Sequence, residues 1–137
     1  MSAPLLVLSY NISHEAMAHQ YKNPHFSARA LGKKCTFVPG HRTLTKCAVN
    51  VAHVIDEIPG LTDQSAGGPA FDTYDFVGLQ EATNWWNLVS HAPRTLQQMA
   101  AVHSSSGLET MVTFYDGVKY TLDHHVDGAI ARGRPFQ

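Results

Sequence analysis

Two short apolar runs in this chain each end abruptly on polar side chains. Residues 5–10 lead into Asn11, and residues 75–79 lead into Gln80 and Glu81. Apolar runs of this length with polar boundaries are typical of β-strands in a core. Ligands of α/β proteins bind at the carboxyl ends of strands, so the pattern predicts two strands that deliver Asn11 and Glu81 to one site.

The clearest helix is predicted between these runs. Apolar residues recur at three- and four-residue steps from Leu44 to Ile58, which is the period of an amphipathic helix. Thr43 or Thr45 can cap its start, and Pro59-Gly60 is expected to end it. The helix is therefore expected over residues 45–58.

Shorter elements are predicted around it. Residues 35–38 read as a short strand that closes at Pro39-Gly40. Residues 83–89 read as helical, and residues 95–102 can begin a further helical turn or two with Thr95 as the cap. Residues 104–107, Ser-Ser-Ser-Gly, are expected to be a flexible connector.

A β-hairpin is predicted in the last third of the chain. Residues 110–115 and 118–122 are rich in β-branched and aromatic side chains and flank Asp116-Gly117, a pair that fits the type I′ turn. Strands that alternate with helices predict an α/β fold with a mixed or antiparallel sheet flanked by helices. We expect residues 1–137 to form a single domain.

Composition sets only broad limits on the class of protein and its partners. The 137 residues are 44% hydrophobic and 15% charged, with a net charge of −1, as expected for a globular chain that can bury a core. The net charge gives no overall reason to expect binding to nucleic acid or to an anionic membrane. Since no run has the length of a membrane span and no basic leader precedes the first apolar run, we expect an intracellular protein without a signal peptide.

The charge is nevertheless uneven. Residues 16–55 hold six basic side chains and no acidic one: Lys22, Arg29, Lys33, Lys34, Arg42 and Lys46. A local basic face can meet phosphates. A solvated face whose charge is balanced elsewhere explains the pattern equally well.

The two cysteines, Cys35 and Cys47, lie twelve residues apart and lack metal-site spacing. The sequence does not decide whether they form a disulfide. We expect two free thiols in a reducing compartment.

The chemistry of the strand ends points to a metal ion. Mg²⁺ takes oxygen ligands and keeps several waters, so one carboxylate, one amide oxygen and a substrate phosphate can suffice. A strand ending in Tyr10-Asn11-Ile12, followed 70 positions later by a strand ending in Gly78-Leu79-Gln80-Glu81, resembles the endonuclease/exonuclease/phosphatase (deoxyribonuclease-I-like) superfamily of metal-dependent phosphodiesterases.

This resemblance implies a four-layered α/β sandwich with the metal site at the strand ends. It places Asn11 and Glu81 at the metal and the phosphate, as metal ligands and catalytic residues, with Gln80 as a supporting neighbour. The implied cofactor is Mg²⁺ or Mn²⁺. The implied substrate is a phosphoester, either a nucleic acid or a small molecule, and the sequence does not choose between them.

The resemblance covers only the N-terminal half of the superfamily's domain. The later motifs, an Asn-x-His strand end, a Gly-Asp-x-Asn and a final Asp-His, have no match, because Asp123-His124-His125 comes too early and follows no apolar strand. We therefore expect no turnover by the chain alone. The alternative function is a non-catalytic interaction protein, in which a protein partner or self-association covers exposed sheet edges.

Simpler explanations exist for several of these residues. Glu81 can be a helix N-terminal carboxylate, and Asn11 can be a turn residue that bonds its own backbone. One of Trp85 and Trp86 is expected in the core, although the pair can also stack on a base. Residues 123–127 could bind Zn²⁺ or Ni²⁺, but an exposed polar turn is the expectation. His14, Glu15 and His19 have the wrong spacing for a zinc protease motif.

Overall fold

The computed structural model describes residues 5–12, 35–61, 73–106, 109–126, 128–130 and 134–136. These residues form a four-stranded sheet, a separate two-stranded sheet and two α-helices. The elements are β1 (Val7–Asn11), α1 (Lys46–Leu61), β2 (Phe76–Gln80), α2 (Trp86–Val89), β3 (Ala100–Ser106), β4 (Glu109–Tyr115), β5 (Gly128–Ile130) and β6 (Arg134–Phe136), with a 3-10 turn at Leu96–Gln98.

The larger sheet is mixed, with the strand order β1-β2-β4-β3. Strands β1 and β2 are parallel, whereas β4 runs antiparallel to both β2 and β3. Strands β5 and β6 form an antiparallel pair. The predicted α/β class with a mixed sheet is confirmed, and the four-layered sandwich stays a prediction.

The core lies between α1 and one face of this sheet. Alternate residues of β2 and β4 are buried, as expected for strands with one face in the core. On the helix, buried positions recur at four- and three-residue steps. The buried set is Ala48, Ala52 and Ile55 from α1 and Val77, Leu79, Val112 and Phe114 from the sheet.

Helix α1 is capped as predicted but runs further than predicted. The backbone N–H of Ala48 donates to Thr45 Oγ1 at 3.1 Å, which makes Thr45 the N-cap. The predicted end at Pro59 is wrong, because α1 continues to Leu61 with Pro59 inside it. Proline cannot donate to the Ile55 carbonyl, and the hydroxyl of Tyr74 donates to that oxygen instead at 3.3 Å. Burial, followed by the negative charge of Asp56, raises the pKa of Tyr74 to about 12.

The hairpin predicted between residues 110–115 and 118–122 does not form. Strand β4 pairs with β3, which precedes it, and residues 118–122 form no strand. The side chain of Asp116 accepts the backbone N–H groups of Val118 and Lys119 at 2.9 and 3.2 Å. Gly117 does not adopt the positive φ that a type I′ turn requires. The chain therefore turns at Asp116 and does not return alongside β4.

The helical turn predicted after Thr95 is present but covers only Leu96–Gln98. The flexible connector predicted from residue 104 is wrong as far as Ser106, because the chain is a strand from Ala100 to Ser106. Thr95 makes no capping hydrogen bond with its side chain. Its N–H and hydroxyl both donate to Asp56 Oδ1, at 2.9 and 3.0 Å. This buried carboxylate of α1 directs the chain into β3.

A second carboxylate organises the amino-terminal end of the parallel strands. Asp75 accepts the Leu6 N–H at 2.8 Å, and Lys119 Nζ and the Tyr120 hydroxyl, both at 3.1 Å. The hydrogen bond from Leu6 is the largest of several contacts that hold the Asp75 pKa below its ordinary value. Asp75 therefore ties β1, β2 and the segment after β4 together, at the end of β2 opposite Glu81.

Cys35 and Cys47 form a disulfide, so the expectation of two thiols is wrong. The predicted strand at residues 35–38 is reduced to one bridge, in which Phe37 pairs antiparallel with Thr45. Gly40, with φ 81°, lies in the turn that lets the chain fold back. This fold-back brings the two cysteine Cα atoms to 5.1 Å, within the range that a disulfide spans.

No helix in the described part of the chain combines the length and the apolar character needed to cross a membrane.

Candidate functional site

The two predicted site residues lie side by side at the ends of adjacent strands. Asn11 is opposite Gln80 in the parallel register, and the N–H of Ile12 donates to the Gln80 carbonyl at 3.1 Å. Glu81 is the next residue along. The side-chain amide of Asn11 donates from Nδ2 to Glu81 Oε1 at 3.2 Å. The structure therefore brings together the two side chains that the sequence singled out.

Glu81 has an unusual backbone conformation. Its φ is 55°, in the left-handed region, which costs a residue with a Cβ about 1–2 kcal/mol. The neighbouring contacts enforce it, since the Ala82 N–H donates to the Thr110 carbonyl at 2.8 Å and the Trp85 N–H donates to the Ala82 carbonyl at 3.0 Å. The chain turns sharply out of β2 at Glu81. Such outliers cluster at functional sites, because a surrounding structure must hold them in place.

The position of Glu81 differs from that of a helix N-terminal carboxylate, and Asn11 has a contact beyond its own turn. Helix α2 begins at Trp86, five residues after Glu81, so Glu81 is not in the first turn of a helix. The Asn11 side chain bonds Glu81 across two strands, and this contact is not a local turn.

Gln80 positions the pair. Its side-chain nitrogen Nε2 donates to Ser9 Oγ at 3.2 Å and to the Gly78 carbonyl at 3.4 Å. The bond to Ser9 links β2 to β1 two residues before Asn11, whereas the bond to Gly78 stays within β2. The role of a supporting neighbour, implied by the resemblance, fits these contacts.

The ligand atoms at this site suit a hard metal ion. One carboxylate and one amide oxygen match Mg²⁺, which keeps several waters and binds substrate phosphates. Zinc sites use three or four nitrogen, sulfur or carboxylate ligands, and no group of three or more His, Cys, Asp or Glu with that geometry occurs among the described residues. One carboxylate and one amide oxygen suit Mg²⁺ or Mn²⁺, which would be held by few protein ligands.

The start of α1 lies at the same end of the sheet. Asn87, in α2, donates from Nδ2 to the Thr43 carbonyl and hydroxyl at 3.4 and 3.5 Å. The contact of Ile55 with Tyr74, before β2 begins, puts the later part of α1 at the opposite end. Helix α1 therefore runs against β1 and β2, and its N-terminus lies on the side of Asn11 and Glu81.

Two exposed cations accompany this helix start. Arg42 and Lys46 are both exposed and flank the segment fastened to α2. The other four basic residues of the stretch from residue 16 to 55 lie outside the described residues. The run without acidic side chains was the sequence feature that pointed to Arg42, but only the Thr43–Asn87 contact places it near the site.

The two tryptophans have different environments. Trp85 packs edge-to-face on Phe114, with ring centroids 5.6 Å apart, and contacts His103 at 5.4 Å. Trp86 is 57% exposed. The expectation that one tryptophan of the pair packs into the core is confirmed.

The other chemical motifs give no site within the part of the chain that the structure describes. Residues 123–125 are exposed, as expected, and Asp127 lies outside the described residues. His14, Glu15 and His19 lie outside the described residues. A cleft of about 380 Å³ that the sequence did not indicate is lined by His53, Asp56, Glu57, Ser90, His91 and Pro93.

Comparison with known proteins gives one similarity. No family model matches the chain, and no solved structure matches it significantly. A protein of Acanthamoeba polyphaga mimivirus, described as Uncharacterized protein L684, is 47% identical over 49 residues, which are 36% of this chain and 10% of that protein. The chain thus matches about a tenth of the length of this relative, whose description names no activity.

Proposed function

We propose that this chain carries the metal-binding part of a Mg²⁺- or Mn²⁺-dependent phosphodiesterase or phosphatase. The observation that supports the proposal is the hydrogen-bonded pair of Asn11 and Glu81 at the ends of two parallel strands, with Glu81 held at φ 55°. A left-handed position suits glycine better than glutamate, which supports a use for the Glu81 side chain beyond the turn itself.

In this proposal, each residue has a distinct role. Glu81 and Asn11 Oδ1 are the protein ligands, and Asn11 Nδ2 orients the carboxylate through its hydrogen bond. Gln80 fixes the spacing of the two strand ends. A bound Mg²⁺ would polarise a phosphoryl oxygen of the substrate and stabilise the leaving group.

The isolated chain is proposed to bind without turning over substrate. Activation of the nucleophile falls to the superfamily's later motifs, which these 137 residues do not contain. Loss of one member of a catalytic unit typically removes most of its rate.

Metal affinity in the presence of a phosphodiester tests the proposal. We expect dimethyl phosphate to strengthen Mn²⁺ binding, measured by electron paramagnetic resonance, in the wild-type chain and not in Glu81→Gln. Glu57→Gln is the matched control, since Glu57 is an exposed carboxylate of α1. Equal binding by Glu81→Gln and wild type would refute the assignment. Phosphoester hydrolysis lost only in Glu81→Gln would show a complete active site and exclude a non-catalytic role.

The alternative is an interaction protein without catalysis, and the surface around β1 favours it. Of the described strands, only β2 pairs with β1, and Val7 and Leu5 are 59% and 60% exposed. An apolar groove of about 230 Å³ lies beside β1, between it and α1. Its lining includes Leu8, Tyr10, Val51, Val54, Ile55 and Ile58.

Under this alternative, a protein partner or a second copy of the chain covers β1. Light scattering after size-exclusion chromatography should then show self-association that Val7→Lys abolishes, because an edge lysine opposes strand pairing. A compact monomer at every concentration would exclude the second copy.

An intracellular location stays a proposal. The Cys35–Cys47 disulfide weighs against it, because disulfides are rare in reducing compartments. Thiol trapping in intact cells decides the point, since a reducing location predicts that both cysteines are labelled.

A further inference from the structure

We propose that Trp86 is a stacking platform for an unpaired nucleobase and that Arg42 binds the adjoining phosphate, so that the chain takes single-stranded nucleic acid. The inference rests on the proposed function for its link to the Asn11–Glu81 pair.

The first observation is the exposure of Trp86. Tryptophan buries more apolar area than most side chains and is costly to leave in water. Trp86 nevertheless is 57% exposed, while its neighbour Trp85 packs on Phe114. The rings of Trp85 and Trp86 are 6.3 Å apart with their planes at 73°, so Trp85 does not cover Trp86 by parallel stacking.

The second observation is the position of Trp86. The turn from Glu81 to α2 is short, and hydrogen bonds from Trp85 to Ala82 and from Asn87 to Asn84 fix it. Trp86 therefore follows the candidate metal ligand by five residues, at the same end of the sheet.

The third observation is the charge at this end. Asn87 fastens the segment that carries Arg42 to α2, and Arg42 and Lys46 are exposed at the start of α1. No acidic residue occurs between residues 35 and 55. The helix N-terminus adds partial positive charge.

These three features favour a nucleic acid over an apolar partner. Single strands are bound by aromatic rings that stack on bases and by cations that follow the backbone. Three polar residues, Thr83, Asn84 and Asn87, are partly exposed near Trp86 in the turn and in α2, whereas Leu88 is buried. A phosphate next to the stacked base would lie toward the end of the sheet that holds Asn11 and Glu81.

Fluorescence anisotropy with a labelled oligothymidylate tests this inference. The probe is compared with an abasic strand of equal length, which keeps the phosphates and lacks the bases. We expect the wild-type chain to bind oligothymidylate more tightly than the abasic strand. Trp86→Ala should weaken oligothymidylate binding about tenfold, since stacking on one base has that order of effect, and should leave the abasic strand unaffected.

Arg42→Ala should weaken both strands and lower the salt dependence of binding. The slope of log K against log salt should fall by about 0.7 for one lost phosphate contact to a single strand. Arg94→Ala is the matched control, because Arg94 is exposed and its N–H is bonded to Asp56 in the later part of α1. It should change neither strand's affinity.

All titrations are run in EDTA, so that binding does not depend on a metal ion at Asn11 and Glu81. This separates the two proposals, because a failed metal site leaves the stacking result intact. Equal affinity for the two strands, unchanged binding by Trp86→Ala, or binding to anionic vesicles in place of oligothymidylate would overturn the inference.

Discussion

The backbone of Glu81 gives a prediction that separates a functional residue from a structural one. Replacement of Glu81 by alanine keeps a Cβ in the left-handed region and removes the hydrogen bond with Asn11, whereas replacement by glycine also removes the strain. The difference in unfolding free energy between the two variants therefore isolates the effect of the backbone conformation at residue 81. Any other contact of the Glu81 side chain is lost from both variants and cancels.

The magnitude follows from two opposing effects. Relief of the left-handed conformation gains about 1–2 kcal/mol, and the greater freedom of glycine in the unfolded chain costs about 0.5–1 kcal/mol. We expect Glu81→Gly to be more stable than Glu81→Ala by about 0.5–1 kcal/mol, a rise of roughly 2–4 °C in Tm for a chain of this size.

Urea unfolding followed by tryptophan fluorescence measures the difference. Asn84, with φ 62°, is the matched control. Asparagine adopts the left-handed region at lower cost than glutamate, so Asn84→Gly should lie within a few tenths of a kcal/mol of wild type. If Glu81→Gly is less stable than Glu81→Ala, the conformation at Glu81 is not strained and the argument from its backbone fails.

Three further predictions concern the contacts that hold the fold. Asp56→Ala should cost about 3 kcal/mol in urea unfolding, because three donors from Arg94 and Thr95 lose a buried carboxylate; a loss below about 1 kcal/mol would contradict this. Removal of the disulfide by Cys35→Ala with Cys47→Ala should cost about 2–3 kcal/mol for a loop of this size, and unchanged unfolding would show that the bond does not form. The Asp75 pKa is lowered on folding, so its contribution is present above the unfolded pKa and is lost as pH falls through about 4 and below. In Asp75→Asn, the unfolding free energy should change less between about pH 5 and pH 2 than in wild type. An unaltered pH profile would refute this role of Asp75.

Strands β1, β2 and β4, the long helix and the meeting of Asn11 with Glu81 were predictable from the sequence. The apolar runs fix which segments enter the core. Two strand ends then meet if the strands are parallel neighbours, as β1 and β2 are. The strand pattern already predicts that these two ends share a site, and the resemblance supplied their expected roles as metal ligands and catalytic residues.

The wrong predictions depended on contacts between distant residues. Asp116-Gly117 is a local hairpin signal, but the bonds of Lys119 and Tyr120 to Asp75 draw the chain elsewhere. Strand β3, Ala-Ala-Val-His-Ser-Ser-Ser, has little β-propensity, and its register with β4 makes it a strand.

The disulfide and the cationic side of the site were hidden for the same reason. The pairing of Cys35 with Cys47 follows from the bridge between Phe37 and Thr45, which no local pattern reveals. Arg42 reaches the neighbourhood of the site through the contact of Thr43 with Asn87, 44 residues away along the chain.

The most direct test of the central claim is a Mg²⁺ titration of the ¹⁵N-labelled chain, observed at the side-chain amide of Asn11 by NMR. Because that amide is bonded to Glu81, metal binding by the pair must shift its resonance. We predict a saturable shift of the Asn11 amide resonance in the wild-type chain and in Glu57→Gln, and loss of this shift in Glu81→Gln. An Asn11 amide that does not respond to Mg²⁺, or that responds equally in Glu81→Gln, would contradict the account.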